Sequence, residues 1–132
     1  MRKLPFDKKP KKPVSGKKIW STAKTDREFS LYIRARDGKC LKCGRSDRRL
    51  SCSHFWGRRR SELRYEEDNC ITLCWLPCHK FEWEKEKAGA YRDFMIQRLG
   101  VERYEELKRI FYQSKMKRSE AIEKCMELLS GN

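Results

Sequence analysis

Two close cysteine pairs, Cys40-x-x-Cys43 and Cys74-x-x-x-Cys78, lie thirty residues apart and constrain this chain more than any other feature. A tetrahedral zinc ion takes four soft, deprotonated ligands, so two pairs converging from distant segments would close a site and pin whatever lies between them. Gly38 and Gly44 flank the first pair and supply the backbone freedom that a metal knuckle uses. Cys52, Cys70 and Cys125 have no neighbour at ligand spacing and read as small buried residues, with Cys52 or Cys70 able to replace a ligand if the wider second pair fails to close. Four thiolates leave no open position, so this zinc is expected to be structural. A staple is needed because only 38% of the 132 residues are hydrophobic, enough for one modest core. No apolar run approaches the roughly eighteen residues that span a bilayer, and the charged start holds no signal-like apolar stretch. A soluble, cytoplasmic protein without membrane contact is expected, in a compartment that keeps its seven cysteines reduced.

The formal net charge of +14 is unevenly placed. Residues 1–18 carry eight Lys or Arg against one Asp, residues 19–65 thirteen against five acids, and residues 66–132 twelve against thirteen. The excess is therefore confined to the first half. A lysine-rich tail alone is often only a solvated block. Here the folded part repeats the excess as arginine, in Arg45, Arg48, Arg49, Arg58, Arg59, Arg60 and Arg64, and the guanidinium fork matches phosphate geometry. A nucleic-acid partner follows, held by contacts that weaken as salt rises.

Along the chain, Pro5, Pro10 and Pro13 among lysines predict a disordered basic arm over residues 1–18, with order starting near Ile19. Thr25-Asp26-Arg27-Glu28 fits a capping box, and Phe29, Tyr32, Ile33 and Arg36 recur at helical spacing until Asp37-Gly38. Residues 50–55 and 70–73 suit two strands of a hairpin, separated by a turn at Gly57 and an arginine-rich loop. Pro77 suits the first position of a helix over residues 78–87, with Phe81 and Trp83 available for packing. A further helix over 88–99 ends at Gly100. Leu107, Ile110, Phe111, Ala121, Ile122, Cys125, Leu128 and Leu129 then mark one or two last helices, read as a core face in preference to a dimer seam. The expected organisation is the arm, a zinc-containing domain over 19–100 and a helical extension over 101–132, all of one α+β class.

The two histidines of the chain, His54 and His79, fall on the first strand and directly after Cys78, with Asn69 opening the second strand. Phosphodiester hydrolysis suits such a set. A neutral imidazole takes a proton from water near neutral pH, a carboxamide fixes its orientation, and a divalent ion neutralises the phosphate.

The stretch from Arg36 to Gly44, then Ser53-His54-Phe55-Trp56-Gly57-Arg58, Asn69 five residues before Cys74, and Cys78-His79 together resemble an HNH nuclease of the ββα-metal type with a four-cysteine zinc site. More narrowly, "SHFWGR", "LRYEEDN" and "YRDFMIQRLGVERYEEL" resemble the phage NinG (Rap) recombination nucleases, over about residues 27–110. The resemblance implies a small zinc-stapled ββα-metal core, treble-clef-like, with flanking C-terminal helices. It implies that His54 is the general base, that Asn69 orients it or supports the metal loop, and that His79 is a ligand of a catalytic Mg2+ or Mn2+. Cys40, Cys43, Cys74 and Cys78 match the zinc ligands. Two departures stand out: Ser53 occupies a place where many HNH enzymes carry an aspartate ligand, and the second cysteine pair has one extra residue before His79. Glu82, one helical turn beyond His79, can supply a carboxylate.

The expected activity is therefore metal-dependent cleavage of DNA, guided by structure such as branches or flaps, with the seven arginines gripping backbone phosphates. The rival readings are a zinc-stapled DNA-binding module without hydrolysis and an RNA-binding adapter, the latter disfavoured because stacking aromatics are not grouped. A homodimer through the C-terminal helices would suit paired cuts across a symmetric junction.

Overall fold

The computed structural model describes residues 18–76, 78–79 and 89–131. Helix α1 spans Thr22–Asp37. It starts three residues before the expected capping box because Ser21, with extended backbone, accepts the Lys24 N–H on its hydroxyl at 3.1 Å. Thr25 is instead buried and donates its hydroxyl back to the Ser21 carbonyl at 2.7 Å. With Phe29 and Ile33 it forms a buried stripe at four-residue spacing. Gly38 ends the helix at φ 69°, in the left-handed region that favours glycine.

Strands β1 (Leu50–His54) and β2 (Cys70–Cys74) pair antiparallel, with Leu50 opposite Cys74 and His54 opposite Cys70. The two-residue period divides the hairpin into two working faces. Cys52, His54, Cys70 and Thr72 face α1, where the Thr72 hydroxyl reaches the Ile33 carbonyl. Ser51, Ser53, Ile71 and Leu73 share the opposite face. The hairpin connection is not the plain loop expected from its arginines. It contains the short helix α2 (Ser61–Arg64) and a 3-10 turn (Glu67–Asn69), folded back so that Phe55 N–H meets the Asn69 carbonyl at 2.9 Å.

Helices α3 (Ala90–Leu99), α4 (Val101–Gln113) and α5 (Arg118–Ser130) complete the described chain. Gly100, at φ 84°, makes the bend between α3 and α4. The hairpin sits between two apolar clusters. Ile71 and Leu73 pack with Phe55, Tyr91, Met95 and Tyr104 on one side, and Cys70 packs with Phe29, Ile33, Tyr65, Ile122 and Cys125 on the other. The C-terminal apolar stripe is thus core, with Ala121, Ile122 and Cys125 of α5 buried within the chain and Leu128 and Leu129 packed against that cluster. Arg36 ties α1 to the hairpin by donating to the Glu67 and Cys70 carbonyls at 2.8 and 2.7 Å. Of the basic arm expected over residues 1–18 and the helix expected over 78–87, residues 1–17 and 80–87, with Phe81, Glu82 and Trp83, lie outside the described residues.

Candidate functional site

The first cysteine pair is held by a tight turn. Gly44, at φ 77°, lets its N–H reach the Cys40 carbonyl at 2.8 Å while Cys40 N–H reaches Arg45 carbonyl at 2.9 Å. Leu41 N–H donates to the Thr72 carbonyl at 2.9 Å, which docks this knuckle beside the end of β2, where Cys74 sits. The sulfurs of Cys40, Cys43, Cys74 and Cys78 consequently lie within 4.8 Å of one another, Cys43 and Cys74 at 3.9 Å. Sulfurs around a tetrahedral zinc, at about 2.3 Å from the ion, stand about 3.8 Å apart, so the donor set fits. The wider pair closes, and neither Cys52 nor Cys70 is needed as a substitute. Burial of Cys40 opposes its ionisation, yet backbone N–H groups of Cys43, Cys74 and Lys42 outweigh it and bring the thiol down to about 7. Burial and the neighbouring thiols push Cys78 the other way. Four thiolates crowded together require a cation, and the cluster can hold a metal ion such as zinc.

A cleft of about 500 Å³ opens along β1, and both histidines line it. His54 Nε2 lies 2.9 Å from the Arg64 carbonyl. A carbonyl only accepts, so Nε2 carries the hydrogen and Nδ1 keeps the lone pair of the neutral ring. Burial, aided by the charges of Arg58 and Arg64, lowers His54 to about 4. A histidine depressed in this way is neutral in the fold but takes a proton in the unfolded chain below its ordinary value of 6.5. Stability is therefore expected to be full above about pH 6.5 and to fall by roughly 3 kcal/mol as the pH drops towards 4, and in urea titrations the difference between wild type and His54→Gln should change with pH across this window and be constant outside it.

Asn69 is fully buried and its carboxamide is committed to the connection between the strands. Its oxygen accepts Trp56 N–H at 2.9 Å, and its nitrogen donates to the Trp56 and Leu63 carbonyls at 2.8 and 3.1 Å. Asn69 thus supports the loop that carries Arg64, and it reaches His54 through that loop and not by direct contact. Asn69→Ala removes three hydrogen bonds to backbone groups, leaving the Trp56 N–H and carbonyl without this partner while the Leu63 carbonyl still accepts the Glu66 N–H, and should cost about 3 kcal/mol in equilibrium unfolding. His79 stacks on Trp75, and its Nδ1 is 2.7 Å from the Ser53 hydroxyl. The two positions that the HNH resemblance assigns to a catalytic ion therefore meet. Among the described residues no carboxylate belongs to a metal-ligand cluster at this place.

The seven arginines separate into distinct settings. Arg49, Arg58 and Arg64 line the cleft with the histidines. Arg49 lies over the Trp75 ring, and Arg58 is exposed at 4.0 Å from Asp26. Arg64 donates to the Asp26 carboxylate at 2.8 Å. Arg45 pairs with Asp47, Arg48 donates to the Leu76 carbonyl, Arg59 lies over Phe111, and Arg60 donates to the Phe111 carbonyl. Asp26 and Arg34 also line the cleft, and the sequence reading did not place either of them there. Asp26 also accepts the Tyr65 hydroxyl at 2.8 Å, and although burial alone would raise it, Arg64 and Tyr65 hold the carboxyl below its usual value. Asp26, Ser30 and Arg34 recur every four residues on α1, and that spacing is the signal that places them together on the cleft wall.

Fold and site define a small α+β protein with a four-thiol cluster able to hold a metal ion at the end of its hairpin, and a histidine-bearing, arginine-lined cleft along β1. The chain belongs to the bacteriophage lambda NinG family, whose sequence model matches residues 6–130. That match extends beyond residues 27–110 and takes in the last helix. No curated protein and no solved structure gives a significant match. No helix among the described residues is long and apolar enough to cross a membrane.

Proposed function

We propose that this NinG-family chain is an HNH-type endonuclease that hydrolyses phosphodiester bonds in DNA, using His54 as general base. One observation carries the reading. His54 stands in an arginine-lined cleft with Nε2–H fixed by the Arg64 carbonyl, which leaves Nδ1 as a base of defined tautomer.

Arg49, Arg58 and Arg34 receive the phosphate, and Asp26 neutralises Arg64 and holds it in place. His54 Nδ1 takes a proton from water, the water oxygen bonds to phosphorus, and the bond to the leaving sugar oxygen breaks. A Mg2+ or Mn2+ ion held near His79 and Ser53 would supply Lewis-acid neutralisation of the phosphate and leaving oxygen. The four-thiol cluster is closed and structural in this account. Branched or flap-like DNA is the substrate class, since the arginines suit backbone recognition and no helix among the described residues offers a base-reading face. One observation favours a second reading, a non-catalytic DNA-binding module. Ser53 stands where a carboxylate ligand is expected, and its hydroxyl already meets His79.

Wild-type protein incubated with junction, flap and linear duplex DNA, with either Mg2+ or Mn2+, separates the two readings. Cleavage of the branched substrates at least tenfold faster than the linear one is expected. Tight binding with no product under either ion would establish the module instead.

A further inference from the structure

A second group of ligand-type side chains lies on the other face of the hairpin from Ser53. Cys52 and His54 are two residues apart on β1, and Cys70 is directly opposite His54 on β2, so the period of the strands places all three on one face. Their two sulfurs and a ring nitrogen lie within 4.8 Å of one another. We propose that Cys52, His54 and Cys70 form a second metal site, open to the cleft, that takes a soft divalent ion such as zinc and in doing so withdraws the His54 lone pair.

The arrangement has the features of a ligating histidine. Metal-bound imidazoles donate their other ring N–H to a carbonyl or carboxylate, and His54 Nε2 already does so to Arg64. Two sulfurs and one nitrogen are the donors of an open zinc centre, with the fourth position left to water. Cys70 is fully buried in the cluster beneath, whereas Cys52 and His54 line the cleft and give the ion a route in. Sulfur donors exclude Mg2+, which takes oxygen. Binding releases the two thiol protons, so a divalent ion with two thiolates is neutral and is not repelled by the surrounding arginines. The four-thiol cluster lies at the other end of β2, where Cys74 sits, shares no residue with this group, and would fill first because it is closed by four ligands.

Metal binding here stands by itself, while its inhibitory consequence rests on the proposed nuclease reading. Protein purified with its first zinc bound is titrated with Co2+ and separately with Zn2+, beside Cys52→Ser and Cys52→Ala, with bound metal measured after gel filtration and the thiolate-to-cobalt absorption followed. Wild type should take a second equivalent at least tenfold more tightly than either variant, with about two protons released per ion. Saturation of wild type at one equivalent, or equal uptake by the variants, would overturn the site. In a cleavage assay supported by Mg2+ or Mn2+, the second zinc should lower the wild-type rate at least tenfold. Cys52→Ser should keep its own zinc-free rate at that concentration. An unchanged wild-type rate with the second ion bound removes His54 from the ligand set. Absence of cleavage under every condition defeats the nuclease reading and leaves the metal titration to decide the site.

Discussion

Removing the ion from Cys40, Cys43, Cys74 and Cys78 is expected to unfold the protein, and Cys40→Ser or Cys78→Ser to do the same. Three of the four thiols belong to the apolar cluster that Ile71, Leu73, Tyr91 and Met95 complete, so the ligands and the core are one structure. Without a cation the cluster would place thiolates together in a buried setting, or keep thiols that make little use of each other. Structural zinc contributes roughly 10–16 kcal/mol to small metal-binding peptides near neutral pH, against a total stability of about 5–15 kcal/mol for a typical domain. Its loss therefore exceeds what the hydrophobic clusters can offset. Circular dichroism during chelation should show a cooperative loss of helix, reversed by added zinc, and elemental analysis should find one tightly held ion per chain. Folded protein that contains no metal would contradict this.

The second large effect concerns His54→Ala, which should lower cleavage by about 10²–10⁴-fold, the usual contribution of a positioned general base. DNA affinity should stay within about twofold, because the proposed phosphate contacts are assigned to arginines and the substitution removes no charge at neutral pH. The fold should survive too. His54 is partly exposed and, among the described residues, its ring makes one hydrogen bond, to the Arg64 carbonyl, worth roughly 1 kcal/mol. Arg64 itself stays fixed by Asp26, which also takes the Tyr65 hydroxyl, so the wall of the cleft does not depend on the imidazole. A loss of binding equal to the loss of rate would instead make His54 a phosphate ligand.

How much of this could be read from the chain differs by element. The two cysteine pairs were legible because ligand spacing is a local property, and the knuckle turn at Gly44 follows from the same few residues. The end of α1 at Gly38 was legible for a similar reason, since a left-handed residue has few other candidates. Its beginning was not. Ser21 and Thr25 both carry cap-forming side chains, and only the burial of Thr25 beside Phe29 and Ile33 decides between them. The hairpin was foreseen to within a residue at each strand, but the short helix inside its connection was hidden by a run of arginines that offers no apolar period. Arginine roles were the least legible. Which of them meets Asp26, Asp47 or a carbonyl is set by tertiary approach, and the pairing of Arg64 with Asp26 has no signal in the spacing of either residue. The joint position of Cys52, His54 and Cys70 likewise depends on strand register, which no spacing along one segment supplies.

The most direct test of the central claim is a single-turnover cleavage assay on branched DNA with Mn2+, wild type beside His54→Ala, at protein concentrations that saturate binding for both. Wild type should give product and the variant a rate at least a hundredfold lower, with equal occupancy of the DNA. Cleavage by His54→Ala at the wild-type rate would contradict that claim, because the proton would then be leaving the water by another route.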